Sequence, residues 1–233
     1  MQTIVMNISE IFHSLPGEGR LAGTPSVFVR VAGCNLRCHW CDTPYALQAS
    51  QGQTQSLEEI VTQVQAHDCP HVVITGGEPL IAKELPELTQ LLHATGKHIT
   101  IETAATIHHD LVCDLMSMSP KLAHSTPRQG PFARYAQSHE KQRLSIETIQ
   151  AFMDRHDYQL KFVVHEEKDL EEIEPILAQL GGLARSKVML MPQARTQTEY
   201  RRRGPRIASL CLDQGFSYSP RLHIALWGNR RGT

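Results

Sequence analysis

Val27-Phe28-Val29-Arg30-Val31-Ala32-Gly33-Cys34-Asn35-Leu36-Arg37-Cys38-His39-Trp40-Cys41 runs from a β-branched stretch through a glycine into a loop with three cysteines. Val27, Val29 and Val31 alternate with Phe28 and Arg30, so the stretch reads as a strand with its valines on one face. Thiolates are soft ligands that suit iron–sulfur clusters and zinc. Three in one short loop can occupy three corners of a cubane cluster and leave its fourth iron open. Structural zinc is the alternative, but it needs a fourth protein ligand, and His39 is poorly placed between Cys38 and Cys41. The spacing favours the cluster. Cys69, Cys113 and Cys211 stand alone and read as buried apolar filler.

Working outward, strands are expected at 27–31, 71–75, 98–102, 113–118, 159–164, 187–191 and 221–226. Helical periodicity fills the spaces between them. Ser56 and Glu59 stand where a capping box belongs, ahead of Leu57, Ile60, Val61 and Val64. Residues 84–95 repeat the pattern, with Gly96 as a C-terminal cap. Ser145 opens a further helix, and Asp169 opens another that Gly181-Gly182 stops. Alternating strand and helix predicts an α/β fold with parallel strands, either an open sheet or a full or partial barrel. Residues 120–144 are polar, proline-bearing and aperiodic, and read as a surface excursion within a single domain spanning 1–233.

The chain has 233 residues, 41% of them hydrophobic and 20% charged, which argues against long-range disorder and against a membrane protein. Lys and Arg number 23 against 24 Asp and Glu. With no basic excess, a protein that grips nucleic acid through its phosphates is not expected. The first residues lack a basic segment followed by an apolar core, and no later apolar run approaches a membrane span. A cytoplasmic protein with reduced thiols is therefore expected.

Charged side chains on strands buried on both faces need partners or ligands. Arg30, Glu102, Lys161 and His223 each alternate with apolar neighbours, which puts all four on the inner or mouth-facing surface. Structural ion pairs are one explanation. Four at strand positions of one parallel fold also suit a polar ligand at the mouth. Thr75-Gly76-Gly77-Glu78-Pro79 ends the second parallel strand. Its paired glycines allow a ligand close to the backbone, its amides suit a carboxylate, and Glu78 could accept from an ammonium group.

The Cys34-x3-Cys38-x2-Cys41 loop after the first strand, with the Gly-Gly-Glu-Pro turn after the second, resembles the radical S-adenosylmethionine (SAM) superfamily. That resemblance implies a partial (β/α) barrel, a [4Fe-4S] cluster on Cys34, Cys38 and Cys41, and SAM chelated by the open iron. In that superfamily, reductive cleavage of SAM gives a 5′-deoxyadenosyl radical that takes hydrogen from the substrate. Glu10 to Gly19, Val27 to Leu36, Cys41-Asp42-Thr43, Ile101-Glu102-Thr103, Ser119-Pro120-Lys121, Met191-Pro192-Gln193 and Leu222-His223 to Trp227-Gly228 further resemble the 7-carboxy-7-deazaguanine synthase family. By that resemblance Leu15, Pro16, Gly17, Arg30 and Thr75 touch a carboxylated pterin. Trp40, Cys41, Asp42, Gly77, Ser119, Pro120, Lys121, Met191, Pro192, Gln193 and Ala194 line SAM, and Thr43 ligates Mg²⁺. A carboxylate suits the bidentate fork of Arg30, and Mg²⁺ prefers a hard oxygen such as the Thr43 hydroxyl. An electron donor such as flavodoxin and a homodimer are also implied. Pro16 stands where that family commonly has Gln, and Ile224 where it often has Lys. The rivals are a glycyl-radical-enzyme activase, which shares the cysteine loop and the Gly-Gly-Glu-Pro turn, and a non-catalytic zinc or electron-transfer module.

Overall fold

The computed structural model describes residues 3–233. The strands are β1 (Val5–Ser14), β2 (Ser26–Val31), β3 (Gln53–Ser56), β4 (His71–Gly76), β5 (His98–Thr103), β6 (Leu115–Met118), β7 (Tyr158–Val164), β8 (Val188–Pro192) and β9 (Ser217–Tyr218). They form one sheet in the order β3-β1-β2-β4-β5-β6-β7-β8-β9. β1 runs antiparallel to β2 and β3, and every pair from β2 onward is parallel. The sheet does not close, in agreement with the partial barrel that the resemblance implies.

The helices are α1 (Leu57–Gln65), α2 (Leu85–Ala94), α3 (Ala136–Gln142), α4 (Ile146–Arg155), α5 (Leu170–Leu177), α6 (Gln197–Gln214) and α7 (Leu222–Trp227). The Ser56–Glu59 capping box starts α1, and the Ser145 hydroxyl accepts from Thr148 N–H to start α4. Leu57, Ile60 and Val64 of α1, Leu85, Leu88 and Leu92 of α2, and Phe152 of α4 join one core with Val27, Val29 and Val31. Each such side chain contributes about 1.5–3 kcal/mol through burial. The helices therefore occupy the valine face of β2, and its other face, with Phe28 and Arg30, is left for the site.

One expectation needs correction. The run expected as a strand over 221–226 is helical from Leu222 onward: the Ala225 and Gly228 N–H groups bond the Arg221 and Ile224 carbonyls at 3.0 and 3.1 Å. A six-residue apolar run does not distinguish strand from helix by period alone. The last strand is the short β9, which follows a left-handed Gly215 (φ 69°). β1, β3 and α6 were not anticipated. α6 carries Gly204 and Pro205 among several arginines, which blurs its apolar stripe. Within 120–144, α3 and two short 3-10 turns bury Ser125, Thr126 and His139.

Candidate active site

Side chains alternate across a strand, so with Val29 and Val31 in the core Arg30 projects from the opposite face. Register sets Arg30 beside Thr75, Glu102 beside Ser117, and Ser117 beside Gln159. Arg30, Thr75, Glu102 and Ser117 floor a cavity at the C-terminal ends of the parallel strands, where such folds bind ligands. All four charged groups read from the strands reach it, although His223 does so from α7. A Cβ at Gly17 would collide with the His223 imidazole, so Gly17 is what lets that ring enter.

The charges are partnered in two sets. Arg30 Nε donates to Glu10 at 2.7 Å, and Tyr45 OH donates to the same oxygen at 2.8 Å. The Arg30 Nη groups have no protein acceptor among the described residues, which leaves one edge of the fork for a ligand. In the second set Lys161 pairs with Glu18 and lies 3.9 Å from Glu102. Arg221, 2% exposed, pairs with Asp42 and lies 3.2 Å from Glu18. Burial opposes the Glu18 carboxylate, but Lys161 and Arg221 prevail and hold its pKa down to about 2. Burial likewise opposes Asp42, and Arg221 holds it well below the usual carboxylate range. Burial pushes the His223 imidazole down, against the pull of Glu18.

Glu10 and Arg221 were not singled out from the sequence. Glu10 has no signal without the β1–β2 register that sets it opposite Arg30. Arg221 does have one, because it alternates with His223 at the edge of an apolar run.

The cysteine loop leaves β2 at Gly33, whose φ of 109° only glycine adopts readily. Cys34, Cys38 and Cys41 all face the cavity. Burial pushes their thiols up to about 12, 12 and 11, so only a soft cationic group would hold them as thiolates. The only three metal-type ligand atoms within 4.8 Å of one another among the described residues belong to Glu18, Asp42 and His223. The three sulfurs do not all lie within that distance of one another, whereas a single tetrahedral zinc would draw them to about 3.8 Å apart. The donor set fits a multi-iron cluster better than one zinc ion.

Gly77 sits against this loop, where a Cβ would meet the Gly33 and Ala46 carbonyl oxygens and Cys34 Cβ. Glu78 does not offer its carboxylate to an ammonium group. It is 1% exposed and accepts from Thr103 Oγ1 (2.6 Å), Ala104 N–H (2.7 Å) and Leu80 N–H (3.1 Å). It ties the turn after β4 to the end of β5.

Leu15, Trp40, Asp42, Thr43, Thr75 and Gly77 line the cavity, as do Ser119, Lys121 and Met191. Thr43 Oγ1 donates to Asp42 at 3.0 Å, and Lys121 Nζ donates to the Ser119 carbonyl at 2.7 Å. Pro16, Pro120, Pro192, Gln193 and Ala194 are not among the residues that line the cavity. The Pro16 carbonyl accepts from Gly23 N–H at 2.8 Å, which closes the turn around Gly17. Arg203 grips the Gln193 carbonyl and side-chain oxygen, both at 2.7 Å, and Arg221 donates to the Ala194 carbonyl at 2.6 Å.

An open parallel sheet with a three-cysteine loop after its first parallel strand, opposite a glycine-rich turn after the second, defines a radical SAM protein. Residues 28–126 match the Radical SAM superfamily. The chain is 43% identical to the 7-carboxy-7-deazaguanine synthase of Halobacterium salinarum, covering 95% of this chain and 90% of that one. Against the enzyme of Rhodopirellula baltica the identity is 44%, over 97% and 88%. The crystal structure of QueE from Escherichia coli superposes with a TM-score of 0.72 at 26% identity, covering 94% and 95% of the two chains. The chain belongs to the 7-carboxy-7-deazaguanine synthase family.

Proposed function

We propose that this chain converts 6-carboxy-5,6,7,8-tetrahydropterin to 7-carboxy-7-deazaguanine with release of ammonia, as a radical SAM lyase. The observation that carries this is 43% identity over nearly the whole chain to a protein of that name, together with one cavity that joins the cysteine loop to the strand-end charges. Its cofactors are a [4Fe-4S] cluster and SAM. When bound, the reduced cluster supplies the electron that cleaves SAM, and with it the radical chemistry.

The chain's own residues bind and orient. Cys34, Cys38 and Cys41 hold the cluster, and Trp40 to Asp42, Gly77, Ser119 to Lys121 and Met191 to Ala194 hold SAM. Gly77 lets the turn after β4 pack directly against the cysteine loop, where any side chain would meet the Gly33 and Ala46 carbonyls. Arg30, braced on Glu10 through Nε, presents its remaining N–H groups to the substrate carboxylate. Leu15 to Gly17 and Thr75 form the rest of the pterin pocket. Thr43 offers an oxygen to Mg²⁺, with the Asp42 carboxylate beside it, and hard oxygen donors of this kind suit the ion.

Residues 1–233 are read as one radical SAM domain. None of the described helices is long and apolar enough to cross a membrane. A cytoplasmic homodimer served by an electron donor such as flavodoxin completes the proposal. Anaerobic incubation of the cluster-loaded protein with SAM, dithionite and carboxytetrahydropterin tests it. Formation of 7-carboxy-7-deazaguanine is expected. SAM cleavage without that product would move the chain to another radical SAM reaction, and glycyl-radical activation would be assayed next.

A further inference from the structure

Three residues between β6 and α4 hold the cysteine loop, although none of them has a role in the reaction above. The main-chain N–H of Arg37, between Cys34 and Cys38, donates to His139 Nδ1 at 3.1 Å. The main-chain N–H of His39 donates to the Ser125 carbonyl at 2.9 Å. Trp40 Nε1–H donates to His124 Nδ1 at 3.0 Å. The Arg37 guanidinium stands 5.2 Å over the ring of Tyr135 in the same segment, and it donates to the Cys34 and Leu36 carbonyls at 2.6 and 2.7 Å.

Backbone and indole N–H groups are donors only, so both imidazoles must accept at Nδ1 and carry their proton at Nε2. Their far sides agree with that tautomer. His139 Nε2–H donates to Ser125 Oγ at 2.9 Å, and His124 Nε2–H donates to the Val163 carbonyl at 3.1 Å. His139 has no exposed surface, and burial holds its pKa down to about 4, which keeps it a neutral acceptor at neutral pH.

The loop from Cys34 to Cys41 lies in neither helix nor strand, so its N–H groups have no ladder to join. A part-buried N–H without a partner would favour other loop shapes, and the shape of the loop sets where the three sulfurs stand. We propose that His139 is a positioning residue for the iron–sulfur centre: by accepting the Arg37 N–H, it fixes the loop in the shape that presents Cys34, Cys38 and Cys41 together. This rests on the ligation by those cysteines proposed above.

Two conservative replacements isolate the acceptor. In His139→Asn the amide oxygen falls where Nδ1 was and keeps the bond from Arg37. In His139→Gln the amide reaches the Ser125 side and leaves the Arg37 N–H bare. The readout is the rate at which an iron chelator removes the cluster from loaded protein, followed by loss of its visible absorbance under anaerobic conditions. The Gln variant should lose its cluster about tenfold faster than the parent and the Asn variant within about threefold of it, in keeping with one lost hydrogen bond to a buried group.

Equal rates for the two variants, or faster loss from Asn, would overturn the proposal. Amide hydrogen exchange on the unsubstituted chain tests it independently of whether the variants fold. The Arg37 amide should be protected in the cluster-free protein, and free exchange there would overturn the proposal. A Cys38→Ala protein separates the two levels. If it keeps its cluster, the ligation itself is wrong; if it loses it while the Asn and Gln variants match each other, only the role of His139 fails.

Discussion

Replacing Arg221 by Met removes the guanidinium from under the cavity while keeping most of its volume. Arg221 is 2% exposed and joins Asp42, Glu18 and the Ala194 carbonyl, so its loss leaves Asp42 without a cation and Glu18 with Lys161 alone, although the two carboxylates lie within 4.8 Å of each other. Removing one partner of a buried ion pair costs about 3–5 kcal/mol. The Glu18 carboxylate, held at about 2 instead of 4.5 by Lys161 first and Arg221 second, carries about 3 kcal/mol at neutral pH, of which Arg221 supplies a part. The sign follows from the lowered value. The contribution is complete above about 4.5 and is lost as the pH falls toward 2, because the unfolded carboxylate takes up its proton first. Urea unfolding followed by far-UV circular dichroism should therefore show Arg221→Met less stable than the parent by about 3–5 kcal/mol at pH 7. The gap should narrow steadily below about pH 4.5 as Asp42 and Glu18 protonate. Equal stability at pH 7, or a gap independent of pH, would refute the ion network as the reason this arginine is buried.

Arg30→Ala should lower kcat/KM for carboxytetrahydropterin at least roughly 30-fold, since truncating one member of a buried charge pair costs about 2–5 kcal/mol. Arg30→Lys should recover only part of this, having no planar fork to share between Glu10 and a substrate carboxylate; unchanged kinetics in a folded Arg30→Ala protein would return the residue to pairing Glu10 alone. Thr43→Ala should lower turnover and its response to added Mg²⁺ while cluster content and SAM binding persist, and full activity in EDTA would count against the ion. Gly77→Ala should weaken SAM binding, measured by equilibrium dialysis, because its methyl must displace the Gly33 and Ala46 carbonyls or Cys34 itself.

Much of this protein is local and so was determined by the sequence. The alternation in Val27 to Val31 set the valines against the helices and Arg30 toward the cavity, because side chains on a strand have a period of two. The Ser56–Glu59 box and the Ser145 cap involve atoms three residues apart, and the three cysteines declare soft-metal chemistry by type and spacing alone. Glu78 looked available to a ligand because nothing local shows that Thr103 and Ala104, on another strand, occupy its carboxylate. The run from Arg221 to Leu226 could pack as strand or helix, and burial of Arg221 beside Asp42 and Glu18 accompanies the helix. Glu10 meets Arg30 only through an antiparallel register, and His139 meets Arg37 across a hundred residues of chain. Tertiary structure decided these pairings because a buried charge or N–H takes its partner from whichever segment the fold brings within about 3 Å, however distant in sequence.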